Sequence, residues 1–458
     1  MKIVIIGGGK VGYTIASRCI DDGHDVTIVD SSRRAVERMS DSLDGMVLLG
    51  SGAELTSQRA AKVGQSDLLV AATPHDETNI LCCMLARKLG CANTIARVRN
   101  REYKDELYLL RSELGLSMAV NPDASAAREI FRLLQFPGLQ KRELFVKSRV
   151  EIVAAVLKED SPLCGKKLME LPRVLHQRVL VCAVQRGGEV IIPSGAFELC
   201  AEDEVYITAP TAELPRLLES MGIRRRRARN VMIVGGSRVA VVLSELLCSA
   251  GVRVKLIESD AARCRELAEL LPEVSVVCAD GTSQDVLKSE NIAGMDAVVS
   301  LTDTDEENVF ISMFANLIGV PQAITKVNRS EYRDICRSCG IEYAVSPREI
   351  CAGEVNRYIR AMQSTNAESM LSLYRLLDGK AEALEFEVTA DVPHLGEKLS
   401  ALRLRDGILL ACISREGRVI FPGGGDALLA GDVVIVITSH CGTVLSLGDI
   451  FADRDGAV

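Results

Sequence analysis

Tryptophan is absent from the 458 residues, and all aromatic side chains together make up 4%. Recognition of single-stranded nucleic acid or of sugars leans on aromatic platforms, so both are disfavoured. Positive charge is not in excess either. Against 54 Lys and Arg stand 62 Asp and Glu, a net charge of −8, so no nucleic-acid partner is expected. No apolar run approaches the roughly 18 residues that span a bilayer. The opening MKIVIIGGGKVG is a short strand-like run without a secretory signal's longer apolar region and cleavage site. The expected compartment is the cytosol, with the 15 cysteines as reduced thiols. Cys336 and Cys339 are separated by two residues, but no second such pair and no nearby histidine accompany them, and no metal site is expected.

What the chain has is repetition. IVIIGGGKVGYTIASRCIDDGHDVTIVD, from Ile3, returns as VMIVGGSRVAVVLSELLCSAGVRVKLIES, from Val231. Gly7 matches Gly235 and Asp30 matches Glu258, both at an offset of 228. Thr73 matches Thr302, Asn79 matches Asn308, Arg97 matches Lys326 and Tyr103 matches Tyr332, all at 229. Pro193 with Pro422 and Asp203 with Asp432 keep the register, so the chain is a tandem duplication. In each half, short apolar strand runs first alternate with helical patterns, which predicts βαβ units and a parallel sheet. A long helical stretch follows. In the first half it runs from Ala124, breaks at Pro137-Gly138 and resumes toward Phe145; in the second it runs from about Glu349 to Leu377. Each half ends in short strands with turn signals such as RGGE and PGGG, which read as a small α+β domain. The basic run at 223–230 reads as a solvated linker between the halves.

Gly7-Gly8-Gly9-Lys10-Val11-Gly12 follows a strand and opens a helix, and Asp30 ends the next strand about 20 residues on. That is the setting of a dinucleotide fingerprint. Gly7 permits the turn, Gly9 leaves room for a pyrophosphate, and Gly12 lets helix and strand approach. Backbone N–H groups at the helix start then face phosphate. Asp30 accepts from ribose hydroxyls; its alternative role is N-cap of the following helix. In the second half Gly235-Gly236-Ser237-Arg238-Val239-Ala240 carries Ser and Ala in place of two glycines, with Glu258 at the ribose position. Ser51 and Asp280 follow the third strands. Thr73 and Thr302 follow the fourth, and Arg97 and Lys326 lie in the fifth, all at the carboxyl ends that line the binding crevice. Asp76, Glu77 and Asn79, with Asp305, Glu306 and Asn308, read as helix-capping residues.

Acid–base chemistry has few carriers. His24, His75, His176, His394 and His440 are the only histidines, and none recurs in the other half. Of these, only His75 falls near the crevice. No nucleophile elbow, Walker lysine or HExxH is present. No catalytic residue and no enzyme activity are therefore expected; an NAD-dependent oxidoreductase using His75 is the alternative, and a scaffold sensing another ligand a third reading.

MKIVIIGGGKVG with its Asp30, AATPHDETNI, TIARV and the whole-chain duplication resemble the TrkA family, the peripheral subunits of Trk-type potassium uptake systems. The resemblance spans nearly the whole chain. It implies two Rossmann-like parallel-sheet RCK (KTN) domains, each followed by a small α+β RCK C-terminal domain. The implied order is an N-terminal domain at 1–122, a helical connection at 123–145, a C-terminal domain at 146–223 and a linker at 224–230. It repeats with 231–347, 348–380 and 381–453. Further implied are binding of NAD(H), with ATP or ADP as further ligands, and gating of a membrane-embedded potassium transporter subunit of the Trk type. A homo-oligomeric ring of RCK domains on the cytoplasmic face of the membrane is implied as well. The family's nucleotide positions carry over to Gly7–Gly12, Asp30, Ser51, Thr73 and Arg97. In the second half they fall on Gly235–Ala240, Glu258, Asp280, Thr302 and Lys326. Two departures are GSG at 50–52, which lacks the acidic residue that repeat two keeps as Asp280, and GGSRVA.

Overall fold

Ile3-Val4-Ile5-Ile6 and Leu68-Leu69-Val70-Ala71 are apolar at every position, as suits parallel strands covered on both faces, and every one of these residues is buried. The structure, a computed structural model, describes residues 1–100, 103, 113–135, 141–145, 150–175, 179–210, 214–221, 228–329, 331–364, 370–376, 380–439 and 442–452. Positions 223–227 of the basic linker, the Pro137-Gly138 break, His176 and His440 lie outside the described residues. The chain divides into two units, Met1–Leu134 with Ala228–Asn356, and Gln135–Arg227 with Arg357–Val458.

The first unit holds two six-stranded parallel sheets. In repeat one the strands are β1 (Lys2–Ile6), β2 (Asp25–Asp30), β3 (Met46–Leu49), β4 (Leu68–Ala71), β5 (Asn93–Arg97) and β6 (Met118–Val120). They lie in the order β3-β2-β1-β4-β5-β6. In repeat two, Ser275–Cys278, Arg253–Glu258, Asn230–Val234, Ala297–Ser300, Ala323–Lys326 and Tyr343–Val345 lie in the same order. The order reverses direction between β1 and β4, which opens a crevice at the carboxyl ends of the strands.

The two repeats exchange helices. Helix Pro122–Gln135 leaves repeat one and places Ala126, Ala127, Ile130, Leu133 and Leu134 in a core with Val231, Ile233, Leu243, Leu247 and Tyr343 of repeat two. Burying Ile130, Leu133 and Leu134 there stabilises the unit by roughly 1.5–3 kcal/mol per side chain. The Leu133 carbonyl also accepts from Gln322 Nε2 at 3.0 Å. In return, helix Pro347–Ser364 brings Glu349 to Arg18 as an ion pair and Asn356 to Asp22, at 2.8 Å. Ser125 of one exchanged helix donates to Glu354 of the other at 2.8 Å.

The expected long helical stretches are corrected. The first ends at Gln135, and Lys141–Phe145 is a strand paired along its length with Val150–Val156. The second ends at Ser364, and Met370–Leu376 is a strand paired with Ala381–Glu387. Antiparallel ladder bonds with a long neighbour override a helical pattern of no great strength.

The second unit holds two five-stranded antiparallel sheets of matching order. Their strands show period two. Val153 and Ala155 enter one core with Val205 and Ile207, while Val150, Ile152 and Ala154 enter another with Ala381, Ala383, Ile435 and Ile437. Asp203 is fully buried and accepts from Arg186 Nε and Nη2 at 2.7 Å each and from Cys200 N at 2.8 Å. Asp432 does the same with Arg415, at 2.8 Å twice, and Leu429 N, at 2.9 Å.

Candidate nucleotide sites

The turn after β1 needs its first glycine. Gly7 has φ +98°, and a Cβ there would stand 2.9 Å from Thr73 N. Gly235 repeats this with φ +101°. A Cβ on Gly12 would overlap the Gly7 carbonyl oxygen, so the third glycine lets the helix Lys10–Asp21 close on the turn. A Cβ on Gly9 would meet nothing within 4 Å. No side chain caps this helix, so the N–H groups of Lys10 and Val11 point out of the turn with the positive end of the helix dipole. Repeat two differs. Ser237 turns back onto its own helix, Arg238–Ser249, and its Oγ accepts from Ala240 N at 3.4 Å. The serine is thus an N-cap that occupies one helix-start donor; Arg238 opens the helix and Val239 is buried.

The acids at the ends of the second strands hold these turns. Asp30 Oδ2 accepts from Gly8 N at 2.5 Å and Oδ1 from Ser32 N at 2.7 Å. Asp30 is not the N-cap of the next helix; Ser32 is, accepting from Ala35 N at 3.4 Å. Glu258 Oε2 accepts from Gly236 N at 2.7 Å and Oε1 from Asp260 N at 2.8 Å. Burial opposes its charge, but bonds from the Asp260, Gly236 and Ser259 N–H groups and the Ser259 hydroxyl outweigh that and hold the carboxyl below its usual range. An ionised carboxylate has about four acceptor positions, so each acid keeps capacity for ribose hydroxyls.

Strands four and five are braced by the same backbone bonds in the two repeats. Thr73 N and Oγ1 donate to Asn79 Oδ1 at 2.8 and 2.7 Å, and Asn79 Nδ2 donates to the Thr73 and Arg97 carbonyls at 3.1 and 2.8 Å. Asn308 binds Thr302 N, the Thr302 carbonyl and the Lys326 carbonyl in the same way. Asp76 accepts from Arg99 N and Asn100 N, and Asp305 from Asn328 N and Arg329 N. The capping expectation for these residues is therefore corrected. They tie the helix start to the end of strand five, and the N-cap positions are His75 and Thr304, without side-chain caps. Glu77 and Glu306 instead accept from the hydroxyls of Tyr103 and Tyr332.

The cations lie just behind. Arg97 Nη1 reaches the Thr73 carbonyl at 3.4 Å, and its buried Nε has no hydrogen-bond partner among the described residues. Burial, then the neighbouring Arg99, lowers the Arg97 pKa, while Asp123 opposes the shift. Lys326 is buried; its Nζ lies 3.4 Å from the Leu301 carbonyl and 3.9 Å from Asp303. Burial lowers its pKa too, and Asp303, Asp305 and Asp123 pull it back. Asp123, on the exchanged helix, acts on the strand-five cations of both repeats.

After the third strands the repeats part again. Ser51 is half-buried, and its carbonyl accepts from Glu54 N at 3.0 Å. Asp280 is exposed and accepts from Thr282 Oγ1 and N, at 2.7 and 2.9 Å, which together hold its carboxyl low. Two contributors escaped the sequence reading. Arg38 Nη2 donates to the Gly8 carbonyl at 3.0 Å, and Arg263 Nε to the Gly236 carbonyl at 2.9 Å. Their offset is 225 where the flanking residues keep 228, so aligning the repeats hides the correspondence.

Glycine turn, helix start, strand-end acid and strand-five cation, built twice, define a tandem protein of the dinucleotide-fold class. The TrkA-N domain family matches residues 3–122 and 231–347, and the TrkA-C domain family matches 152–222 and 383–440. The chain belongs to the TrkA family. It is 31% identical to the Trk system potassium uptake protein TrkA homolog 1 of Methanosarcina mazei, over 96% of this chain and 97% of that one. It is 28% identical to the Trk system potassium uptake protein TrkA of Azorhizobium caulinodans, over 95% of both chains. Among solved structures, the GsuK RCK domain covers 96% of this chain and 92% of its own, with a TM-score of 0.65 at 17% identity. The GsuK channel bound to NAD has a TM-score of 0.65 at 18% identity, covering 96% of this chain and 77% of that one. The likeness to GsuK establishes the RCK fold. No described helix is long and apolar enough to cross a membrane.

Proposed function

We propose that this chain is a nucleotide-responsive regulatory subunit of a Trk-type potassium uptake system, and that it works by binding rather than by catalysis. The observation that carries the reading is the double cradle around Gly7–Gly12 with Asp30 and Gly235–Ala240 with Glu258, in two repeats locked together by exchanged helices. In repeat one the free N–H groups of Lys10 and Val11 and the open side of Gly9 fit a pyrophosphate. Asp30 fits a ribose diol, and it disfavours a 2′-phosphate by charge. NAD(H), ATP and ADP share these parts. In repeat two, Ser237 uses a helix-start donor, so phosphate is held less tightly there and Glu258 carries more of the affinity. Ser51 and Asp280 stand toward the adenosine end, and Thr73, Arg97, Thr302 and Lys326 toward the centre of the crevice.

A ligand moves an equilibrium only by its different affinity for two states. Asp123 supplies a route for that difference. Phosphate near Arg97 or Lys326 competes with Asp123 for the cation, and Asp123 sits in the first turn of a helix embedded in the other repeat. The shift is read by a membrane-embedded potassium transporter subunit of the Trk type, with the chain on the cytoplasmic face.

Calorimetric titration with NADH and ADP tests the sites. Asp30→Ala is expected to weaken the repeat-one site by about 10–100-fold, the value of a charge-assisted hydrogen-bond set. Glu258→Ala is expected to do the same to repeat two. Unchanged isotherms for both variants would refute the assignment.

The ring assembly has a matching surface. Leu81 and Met84 on helix Asp76–Leu89 are exposed, as are Phe310, Met313 and Leu317 on helix Asp305–Ile318. Phe310 and Met313 fall at the positions of Leu81 and Met84, 229 residues on. Copies of the chain join through these stripes. Phe310→Asp is expected to weaken self-association by some tens-fold or more, as at an interface hot spot, and sedimentation velocity over a dilution series reads it out.

A further inference from the structure

Beside the acid of the second site lie two thiols. Cys264 is buried on helix Ala261–Leu270, one turn past its N-cap Asp260, and its Sγ donates to the Glu258 carbonyl at 3.3 Å. Cys278 ends the strand Ser275–Cys278, pairs in register with Glu258 and has an exposed side chain. Ala279 N donates to that same Glu258 carbonyl at 2.9 Å. Cys264 Sγ and the N–H of Ala279, the residue next to Cys278, thus converge on one carbonyl oxygen, and the nearby Cys278 thiol helps to raise the Cys264 pKa. In repeat one the corresponding positions are Val36 and Leu49, so the pair belongs to repeat two alone.

We propose that Cys264 and Cys278 form a reversible disulfide, a thiol–disulfide modification site that sets the affinity of the second nucleotide site. The oxidant is a low-molecular-weight disulfide. The exposed Cys278 thiolate attacks one of its sulfurs; that S–S bond breaks and one small thiolate leaves. The Cys264 thiolate then attacks the Cys278 sulfur of the mixed disulfide and expels the second small thiol. Two protein S–H groups become one S–S bond, and the small disulfide is reduced to two thiols. Burial, then the Cys278 thiol and the charges of Glu258 and Asp260, push Cys264 up to about 11, which makes it the slower, resolving partner.

The cross-link removes the Cys264 donor from the Glu258 carbonyl. It also anchors the helix whose Arg263 holds the Gly236 carbonyl and whose Asp260 N–H holds the Glu258 carboxylate. Oxidation therefore disturbs the acid and the glycine turn together and weakens the site. This consequence rests on the nucleotide reading of repeat two; the disulfide itself does not.

The test uses the full chain equilibrated in glutathione buffers of graded oxidation, quenched by alkylation and mapped by peptide mass. A Cys264–Cys278 cross-linked peptide is expected to rise with oxidised glutathione and vanish with dithiothreitol. Cys278→Ser abolishes it, and Cys264→Ser traps glutathione on Cys278. Full alkylation of both thiols across the series, or glutathione held on Cys278 of the parent chain with Cys264 still alkylated, overturns the disulfide. ADP titration of the Asp30→Ala chain then compares oxidised with reduced protein. A fall in affinity of at least about fivefold, absent from Cys278→Ser, is expected. Equal affinities overturn the link to the site. A reduced chain that binds no ADP strikes the nucleotide reading and the link with it, while the mass map alone decides the disulfide.

Discussion

Gly12→Val abolishes nucleotide binding at the first site, a loss of about 100-fold or more in affinity. The reason is steric. The position has no room for a Cβ, because the Gly7 carbonyl oxygen occupies that space. A valine pushes the start of helix Lys10–Asp21 away from the turn, and the Lys10 and Val11 N–H groups no longer converge with Gly9 on one phosphate. Gly12→Ala produces a smaller displacement and an intermediate loss, since repeat two carries Ala240 at this position behind a turn of the same φ. Titration with ADP in the Glu258→Ala background isolates the effect. A melting curve near that of the parent shows that the site and not the fold was lost. Parent-like affinity in Gly12→Val would exclude this helix start as the phosphate cradle.

Asp432→Ala destabilises the second unit by about 2–4 kcal/mol, because it strips charge-assisted bonds from a buried acceptor cluster. Asp432 is 1% exposed and serves Arg415 twice and the Leu429 N–H once. Its loss leaves the Leu429 N–H without an acceptor. Arg415 is partly exposed and recovers some hydration, which keeps the effect below that of a fully buried pair. The pairing raises the Arg415 pKa, first through the Asp432 bond. Asp203→Ala has the same effect through Arg186 and Cys200 N. At roughly 2–4 °C per kcal/mol for a domain of this size, the transition falls by on the order of 5–15 °C in scanning calorimetry. Asp432→Asn, which keeps the shape and loses the charge, falls between parent and alanine. A transition unmoved by either alanine would show that the clusters contribute nothing net.

The duplication made much of this fold legible. A β1-like run, a glycine turn and an acid at the end of β2 are local signals with steric causes, and the structure bonds Gly7 N to the Val29 carbonyl and Gly8 N to Asp30. Alternating strand and helix patterns gave the parallel sheets, whose order follows from chain handedness. Ile130, Leu133 and Leu134 read as apolar residues suited equally to a neighbouring module or to their own domain, and the structure puts them in the core of repeat two; nothing in a local pattern says which core a helix will enter. The strands Lys141–Phe145 and Met370–Leu376 were hidden for a related reason: their ladder partners, not their own propensities, fix their conformation. Asp76 and Asp305 looked like caps because first-turn acids usually are. Here the backbone just past strand five competes for them and wins, with two or more N–H donors each.

The helix exchange carries a consequence for how such a chain can evolve. Two identical copies related by a twofold axis would face each other with the same residues, and any change would appear on both sides at once. Joined in one polypeptide, the halves mutate separately. Across the exchanged helices Ser125 now meets Glu354. One helix opens with Asp123 where its counterpart has Arg348, and only one phosphate turn carries a serine cap. Fusion released the partners from symmetry while each still needed the other's helix to complete its core, and that is the condition under which one ancestral binding site can become two with different work.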